Sequence, residues 1–237
     1  MVITPSGQRR RHAWRCLIYG GSGIGKTTLA SLAPKPLLID LEDGGEYVKI
    51  DRTDVLKNYN EVVESLREFY KSDYKTAVID TMDLLEIFIH EHVCREHGWK
   101  TIESPGFGKG YAVATETWMK LLAIFDMCVN AEKNILCIGH EQIKSYNAPD
   151  MDSYDRYTIK LNAKSANLIV ARMDAVLFCQ WETMLVKDKG KDDRKFARGT
   201  GDRVIHTVEK PAWVAKSRFN LDETEPMTGD IFAKFNK

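Results

Sequence analysis

The 237 residues carry 34 Lys and Arg against 34 Asp and Glu, with 43% hydrophobic and 29% charged. That balance is the one of an ordinary globular chain and excludes a protein drawn to nucleic acid by overall charge, so any such binding must come from local patches. No apolar run reaches the roughly 18 residues of a membrane span, and "MVITPSGQRRRHAW" has no apolar stretch like a signal peptide. Five scattered cysteines, Cys16, Cys94, Cys128, Cys137 and Cys179, fit a reducing cytosol. The expected location is the cytoplasm, with no membrane partner.

In chain order, "WRCLIYG" (14–20) predicts a buried strand, "GKTTLASLA" (25–33) a helix and "PLLIDLE" a second strand. Apolar residues at helical spacing follow in 59–72, at Val62, Val63, Leu66, Phe69 and Tyr70. "YKTAVIDT" (74–81) predicts a third strand, "MDLLEIFIHEHVCREHGW" a helix, and "ESPGFGKGY" (103–111) a loop. A long helix, "AVATETWMKLLAIFDMCVNA", leads to a fourth strand, "NILCIGHE" (134–141). Buried strands alternating with helices imply parallel βαβ units with helices on both faces of a sheet. Beyond 143, "IKSYNAPDMDSYDRYTIKLNAK" reads as a long polar loop. A short helix near "SANLIVARM" follows, then strands in "DAVLFCQWETMLVK", "DRVIHTV" and "AWVAKSRF", with a hairpin tip at 188–202. The expected fold is α/β: a mostly parallel sheet that gains antiparallel strands at its C-terminal end. The expected organisation is a tail over 1–13, one domain over 14–222 and a second tail over 223–237.

The chemistry concentrates in "GGSGIGKT", which fits G-x-x-x-x-G-K-[ST] after a strand and at the opening of a helix. Gly20, Gly21, Ser22, Gly23, Ile24, Gly25, Lys26, Thr27 and Thr28 would wrap the phosphates of ATP with backbone N–H groups. Lys26 would reach the β- and γ-phosphates and the Thr27 hydroxyl would ligate Mg²⁺. The second acid such a site needs is Asp80, behind Ala77, Val78 and Ile79. "LLIDLEDGG" ends the strand after the phosphate loop in Asp40 and Glu42, two residues apart and so on one face if the strand continues. Glu42 is the expected base for the attacking water; Asp40 supports the site or caps a turn. His90, Cys94 and His97 share a helix face, but with no fourth ligand nearby they read as a half-exposed face and not a zinc site.

"LLIDLE" after the phosphate loop and "TAVIDT" as the magnesium strand resemble the core of RecA-like P-loop ATPases. The resemblance implies Glu42 as catalytic glutamate and His140, in "CIGHEQ", at the place of a γ-phosphate sensor, with Gln142 as a substitute. It implies that Lys216 and Arg218, in "AKSRF", reach the γ-phosphate of a neighbouring subunit in a head-to-tail ring or filament. With "GFGKGY" and "IGHE", the chain is similar over about residues 14–222 to a phage nucleotide-binding family that includes RecA-like (Sak-type) single-strand annealing proteins. The residues before "WRCLIYG" do not resemble the long N-terminal assembly element of RecA. This likeness implies single-stranded DNA as partner, together with a single-stranded DNA-binding protein. The DNA would lie on "ESPGFGKGY" and on Lys144, Tyr146, Tyr154, Arg156, Tyr157 and Lys160, whose rings stack on bases and whose cations follow phosphates. The hairpin tip adds Lys187, Lys189, Lys191, Arg194, Lys195 and Arg198, diluted by Asp188, Asp192 and Asp193. The expected activity is Mg²⁺-dependent ATP hydrolysis serving strand annealing or recombination. A nucleotide-driven loader or scaffold for replication proteins is the alternative, and a small-molecule kinase is less favoured because the late arginines sit on strands.

Overall fold

A computed structural model describes residues 12–149, 152–187 and 195–235. Ten strands form one sheet system: β1 (Arg15–Gly20), β2 (Pro36–Asp40), β3 (Asp51–Arg52), β4 (Thr76–Asp80), β5 (Asn134–Tyr146), β6 (Tyr154–Ile159), β7 (Ala175–Lys187), β8 (Lys195–His206), β9 (Lys216–Ser217) and β10 (Thr224–Pro226). The helices are α1 (Lys26–Ala30), α2 (Tyr59–Lys71), α3 (Met82–His97), α4 (Lys109–Asn130), α5 (Ala163–Arg172) and α6 (Asp230–Lys234). The main sheet runs β10-β8-β7-β1-β5-β4-β2-β3, with β6 against β5 and β9 against β7. All pairings from β7 through β1, β5, β4 and β2 to β3 are parallel; those of β6, β8, β9 and β10 are antiparallel. The mostly parallel α/β fold with late antiparallel strands is therefore the observed one.

Each central strand is buried on both faces, and its residues alternate between two cores. Leu17, Tyr19, Ile39, Ile79, Ile135 and Cys137 meet Val62, Leu66, Phe69, Ile89, Trp118 and Phe125 of α2, α3 and α4. Cys16, Ile18, Leu38, Val78, Leu136 and Ile138 meet Leu29 and Ala30 of α1 and Ile231 and Phe232 of α6. Residues 223–235 thus add a strand and a helix: Trp14 stacks on Phe232 with ring centroids 5.7 Å apart and meets Phe235 edge-on at 5.1 Å. Sequence patterning missed them because three- and five-residue elements show no period.

Two further differences bear on the site. The run after 143 is not a loop. β5 continues to Tyr146 and turns back as β6, with Lys144 opposite Arg156 and Tyr146 opposite Tyr154. Its polar residues suit a two-stranded ribbon leaving the sheet, with only Tyr157 and Ile159 turned to the core. α1 is also shorter than expected, because Pro34 and Pro36 follow and the residue before a proline avoids the helical region. Among the described residues no helix is long and apolar enough to cross a membrane.

Candidate nucleotide site

β1, β2, β4 and β5 run parallel, so their C-terminal ends share one edge of the sheet, with Asp40 level with Asp80 and Gly20 level with His140. A ligand in such a sheet lies along that edge. The loop after β1 needs its glycines. Gly23 and Gly25 have φ of +74° and +99°, where a side chain is strained, and a Cβ on Gly20 would come within 2.3 Å of the Cys179 carbonyl oxygen. α1 has only five residues, so the loop's own N–H groups, more than a helix dipole, must hold an anion.

Lys26 is buried and its ammonium donates to the carbonyls of Gly20 (3.0 Å) and Gly21 (2.9 Å). Burial pulls its pKa below the ordinary value, while Asp80, Cys179, Asp83 and Glu42 pull it back up. The Thr27 hydroxyl donates to Asp80 Oδ2 at 2.6 Å, although 53 residues separate them. Burial raises the Asp80 carboxyl to about 6, with the charges of Glu42 and Asp40 adding to the rise; the Thr27 hydroxyl and Lys26 oppose it.

Asp40 and Glu42 do not share a strand face. β2 ends at Asp40, whose Oδ1 accepts from the backbone N–H of Glu42 (3.2 Å) and Asp43 (2.9 Å). The buried Asp40 therefore caps the turn, and that turn throws Glu42 outward. Glu42 Oε1 accepts from the Thr81 hydroxyl at 2.6 Å and lies 3.9 Å from His140 Nδ1. His140 Nδ1 lies 3.1 Å from Asp83 Oδ2, and the His140 backbone N–H donates to Asp83 Oδ1 at 3.3 Å. An acceptor carboxylate there selects the tautomer with the proton on Nδ1. Ligand atoms of Glu42, Asp83 and His140 all fall within 4.8 Å of one another, the one such three-residue cluster found among the described residues. His90, Cys94 and His97 form none: His90 meets the Tyr111 ring at 5.6 Å, and His97 stacks on Trp99 at 4.6 Å. The Gln142 side chain donates to the carbonyls of Ile159 (2.7 Å) and Leu161 (3.1 Å), so it fastens β6.

Read against known sequences, residues 12–219 match the AAA domain family (AAA_24), which is most of the chain. The chain belongs to that family. Its loop and sheet are those of a P-loop nucleoside-triphosphatase, so this AAA domain is a nucleotide-binding fold. The chain is also 26% identical over 112 residues to the SPbeta prophage-derived uncharacterized protein YorG of Bacillus subtilis (strain 168). That match covers 44% of the chain and 35% of YorG, so the chain spans about a third of the length of this relative.

The donors fit the ligand that such a fold implies. A hydroxyl and a carboxylate in contact are hard oxygen ligands of the kind Mg²⁺ takes beside water and phosphate oxygens. Thr27 and Asp80 would hold the cation, which would supply charge neutralisation between phosphates. Lys26, held by two neutral carbonyls, presents its ammonium to an anion.

Lys216 and Arg218 lie elsewhere. Lys216 is level with Val176, three residues below the Cys179 that adjoins Gly20, roughly 10 Å down the sheet. Arg218 pairs with Asp174 at 3.0 Å, and Lys216 donates to the Ala171 carbonyl at 3.3 Å. Neither reaches the chain's own phosphate loop, so any role at a γ-phosphate would be in another copy.

Of the hairpin residues, Tyr146 and Tyr154 stand side by side, ring centroids 5.4 Å apart. Tyr146, Lys144 and Lys160 are exposed. Arg156 is committed: its guanidinium lies over the Tyr146 ring (5.1 Å), pairs with Glu209 (2.8 Å) and donates to the Trp213 carbonyl (3.0 Å). Tyr157 stacks on Phe178 at 5.1 Å and faces inward. Those two are support for different reasons: Arg156 shares the Tyr146 face but is held by its partners, and Tyr157, one residue on, points to the opposite face and the core. Lys189, Lys191, Arg194, Asp188, Asp192 and Asp193 lie outside the described residues, as do the side chains of Lys187, Lys195 and Arg198.

Four site residues escaped sequence reasoning. Thr81 and Asp83 follow Asp80 directly and could have been found as polar residues opening the helix after the magnesium strand. Glu141 follows His140; its carboxylate oxygen is 3.6 Å from where a Cβ on Gly21 would sit, and burial raises its pKa. Arg203 comes from β8, 178 residues beyond Gly25, and its Nη1 donates to the Ile24 carbonyl at 3.2 Å. No local pattern announces it.

Proposed function

We propose that this AAA domain is a RecA-like, Mg²⁺-dependent ATPase that acts on single-stranded DNA in strand annealing or recombination, in a phage or prophage setting. One observation carries the reading: β5 bears His140 beside Glu42 and Asp83, then runs without a break into the hairpin that carries Tyr146 and Tyr154. A shift of His140 on nucleotide binding would reach the aromatic pair through one strand. Glu42, held by Thr81, orients and deprotonates the attacking water; the proton passes to its carboxylate as the water oxygen bonds the γ-phosphorus and the β–γ bridging oxygen departs with its electron pair. Lys26 stabilises the departing charge, and His140 senses the γ-phosphate. Lys216 and Arg218 complete the site of a neighbouring copy in a head-to-tail ring or filament, so occupancy couples to assembly. A single-stranded DNA-binding protein would present the strand. The prophage-derived relative supports the phage setting.

The test is titration of a labelled single-stranded oligonucleotide with and without ATP and Mg²⁺ at two salt concentrations. Binding that weakens with salt and changes with ATP is expected. No binding at low salt in either state would refute the DNA assignment. The alternative, a nucleotide-driven loader for replication proteins, draws on Ile143 and Trp181, apolar side chains 60% and 49% exposed. It would then take precedence.

A further inference from the structure

A triphosphate on the loop leaves its base and ribose to be housed. The backbone at Gly20 is closed by the Cys179 carbonyl, Glu141 stands against Gly21, and Glu42, Asp83 and His140 occupy the side of the γ-phosphate. On the remaining side a cavity of about 540 Å³ opens between β8 and β10, lined by Glu182, Asp202, Arg203, Val204, Met227 and Thr228 among others. It adjoins the loop directly. A Cβ on Gly25 would lie 2.5 Å from Arg203 Nη1 and 3.9 Å from Met227 Cε. The volume is within the roughly 300–1,000 Å³ of small-molecule sites. A wider groove of about 950 Å³ lies at the β3 edge among Lys35, Glu46, Asp51 and Arg52, and includes no residue of the loop.

We propose that the cavity between β8 and β10 receives the nucleoside, that its preferred base is a purine with an exocyclic amino group, and that Arg203 and Glu182 recognise it. This rests on the nucleotide-binding reading of the loop and adds where the base goes and what selects it. The walls suit a flat, partly polar ring. Arg203 is tethered at one end to Ile24 and lies 6.0 Å from the Trp181 ring centroid, which fixes its plane for stacking. Met227 offers a polarizable thioether and Val204 an aliphatic surface. Glu182 accepts from the Thr200 hydroxyl at 2.9 Å through Oε2; a carboxylate has lone pairs to spare, so it can also accept from an amino group. Two carboxylates, Glu182 and Asp202, disfavour a further phosphate in the same space. Glu225 is turned away, paired with Lys234 at 2.6 Å.

The experiment is calorimetric titration of ATP, ITP and inorganic tripolyphosphate, each with Mg²⁺, into the wild type and the Arg203→Ala, Glu182→Gln and Lys26→Ala variants, with thermal melts to confirm folding. Arg203→Ala should weaken ATP about tenfold and leave tripolyphosphate unchanged. Glu182→Gln should bring ATP and ITP affinities together, because inosine lacks the exocyclic amino group, and it reads the proposal even if Arg203→Ala fails to fold. Lys26→Ala should weaken all three ligands. If neither cavity variant alters ATP affinity while Lys26→Ala does, the cavity is not the nucleoside site, although the loop remains the phosphate site. Equal losses for ATP and tripolyphosphate in Arg203→Ala would also overturn it, because Arg203 would then act only on the loop. If Lys26→Ala changes nothing, the loop reading fails first and this inference with it.

Discussion

The two edges of the central sheet use the same residue types to opposite ends. At the lower edge, Arg15 and Arg172 both pair with Asp126, and Arg218 pairs with Asp174, whose Oδ2 also accepts from the Arg15 backbone at 2.9 Å. Cations and carboxylates there answer one another. At the upper edge Lys26 rests on carbonyls, Asp80 on a hydroxyl and Glu42 on another hydroxyl. The difference separates a charge network that holds a fold from one left open for a ligand, since charges held by neutral groups keep their reach for something else.

Mutations can break that contrast. Asp174→Ala at the lower edge removes the acceptor of the buried Arg15 backbone N–H and should cost about 3 kcal/mol in denaturant unfolding, with nucleotide affinity unchanged in the folded fraction. Lys26→Ala at the upper edge should do the reverse, reducing ATP affinity on the order of 100-fold with little change in melting temperature. Asp80→Asn sharpens the comparison further. The raised carboxyl means that the folded protein binds a proton more tightly than the unfolded chain between about pH 4 and 6, so stability falls as pH rises through that window. The asparagine variant should escape that loss and be about 2–3 kcal/mol more stable than wild type at pH 7; if Asp80 holds Mg²⁺ as proposed, it should also lose nucleotide hydrolysis. A stability curve without slope between pH 4 and 6 would show that Asp80 is not desolvated. On the hairpin, Tyr146→Ala should cost about 1–3 kcal/mol in oligonucleotide binding and leave ATP binding intact. Arg218→Ala is the smallest in stability, below about 1 kcal/mol because the guanidinium is 61% exposed. If Arg218 acts on a neighbour, hydrolysis should nonetheless fall, and do so only at concentrations where the protein assembles.

Much of the upper edge was legible in advance because its signals are contiguous: "GGSGIGKT" is one loop, "TAVID" one strand, and "LLID" another. The hairpin is not legible in the sequence because a ribbon that reaches the core only at Tyr157 and Ile159 lacks the sustained apolar alternation by which strands are recognised. Asp40 and Glu42 were expected on one face, but Asp40 spends its carboxylate on the turn and so ends the strand two residues early.

The phosphate loop, the alternating α/β core and the acids at strand ends are legible from local pattern, because each depends on residues within a few positions of one another. Only the tertiary structure decided which of those acids faces the loop, that Arg156 and Tyr157 support the hairpin, that Lys216 and Arg218 lie at the far edge, and that Arg203 closes on Ile24. Those outcomes depend on strand order and register, which bring together residues as much as 179 positions apart. Local patterning carries no record of such separations.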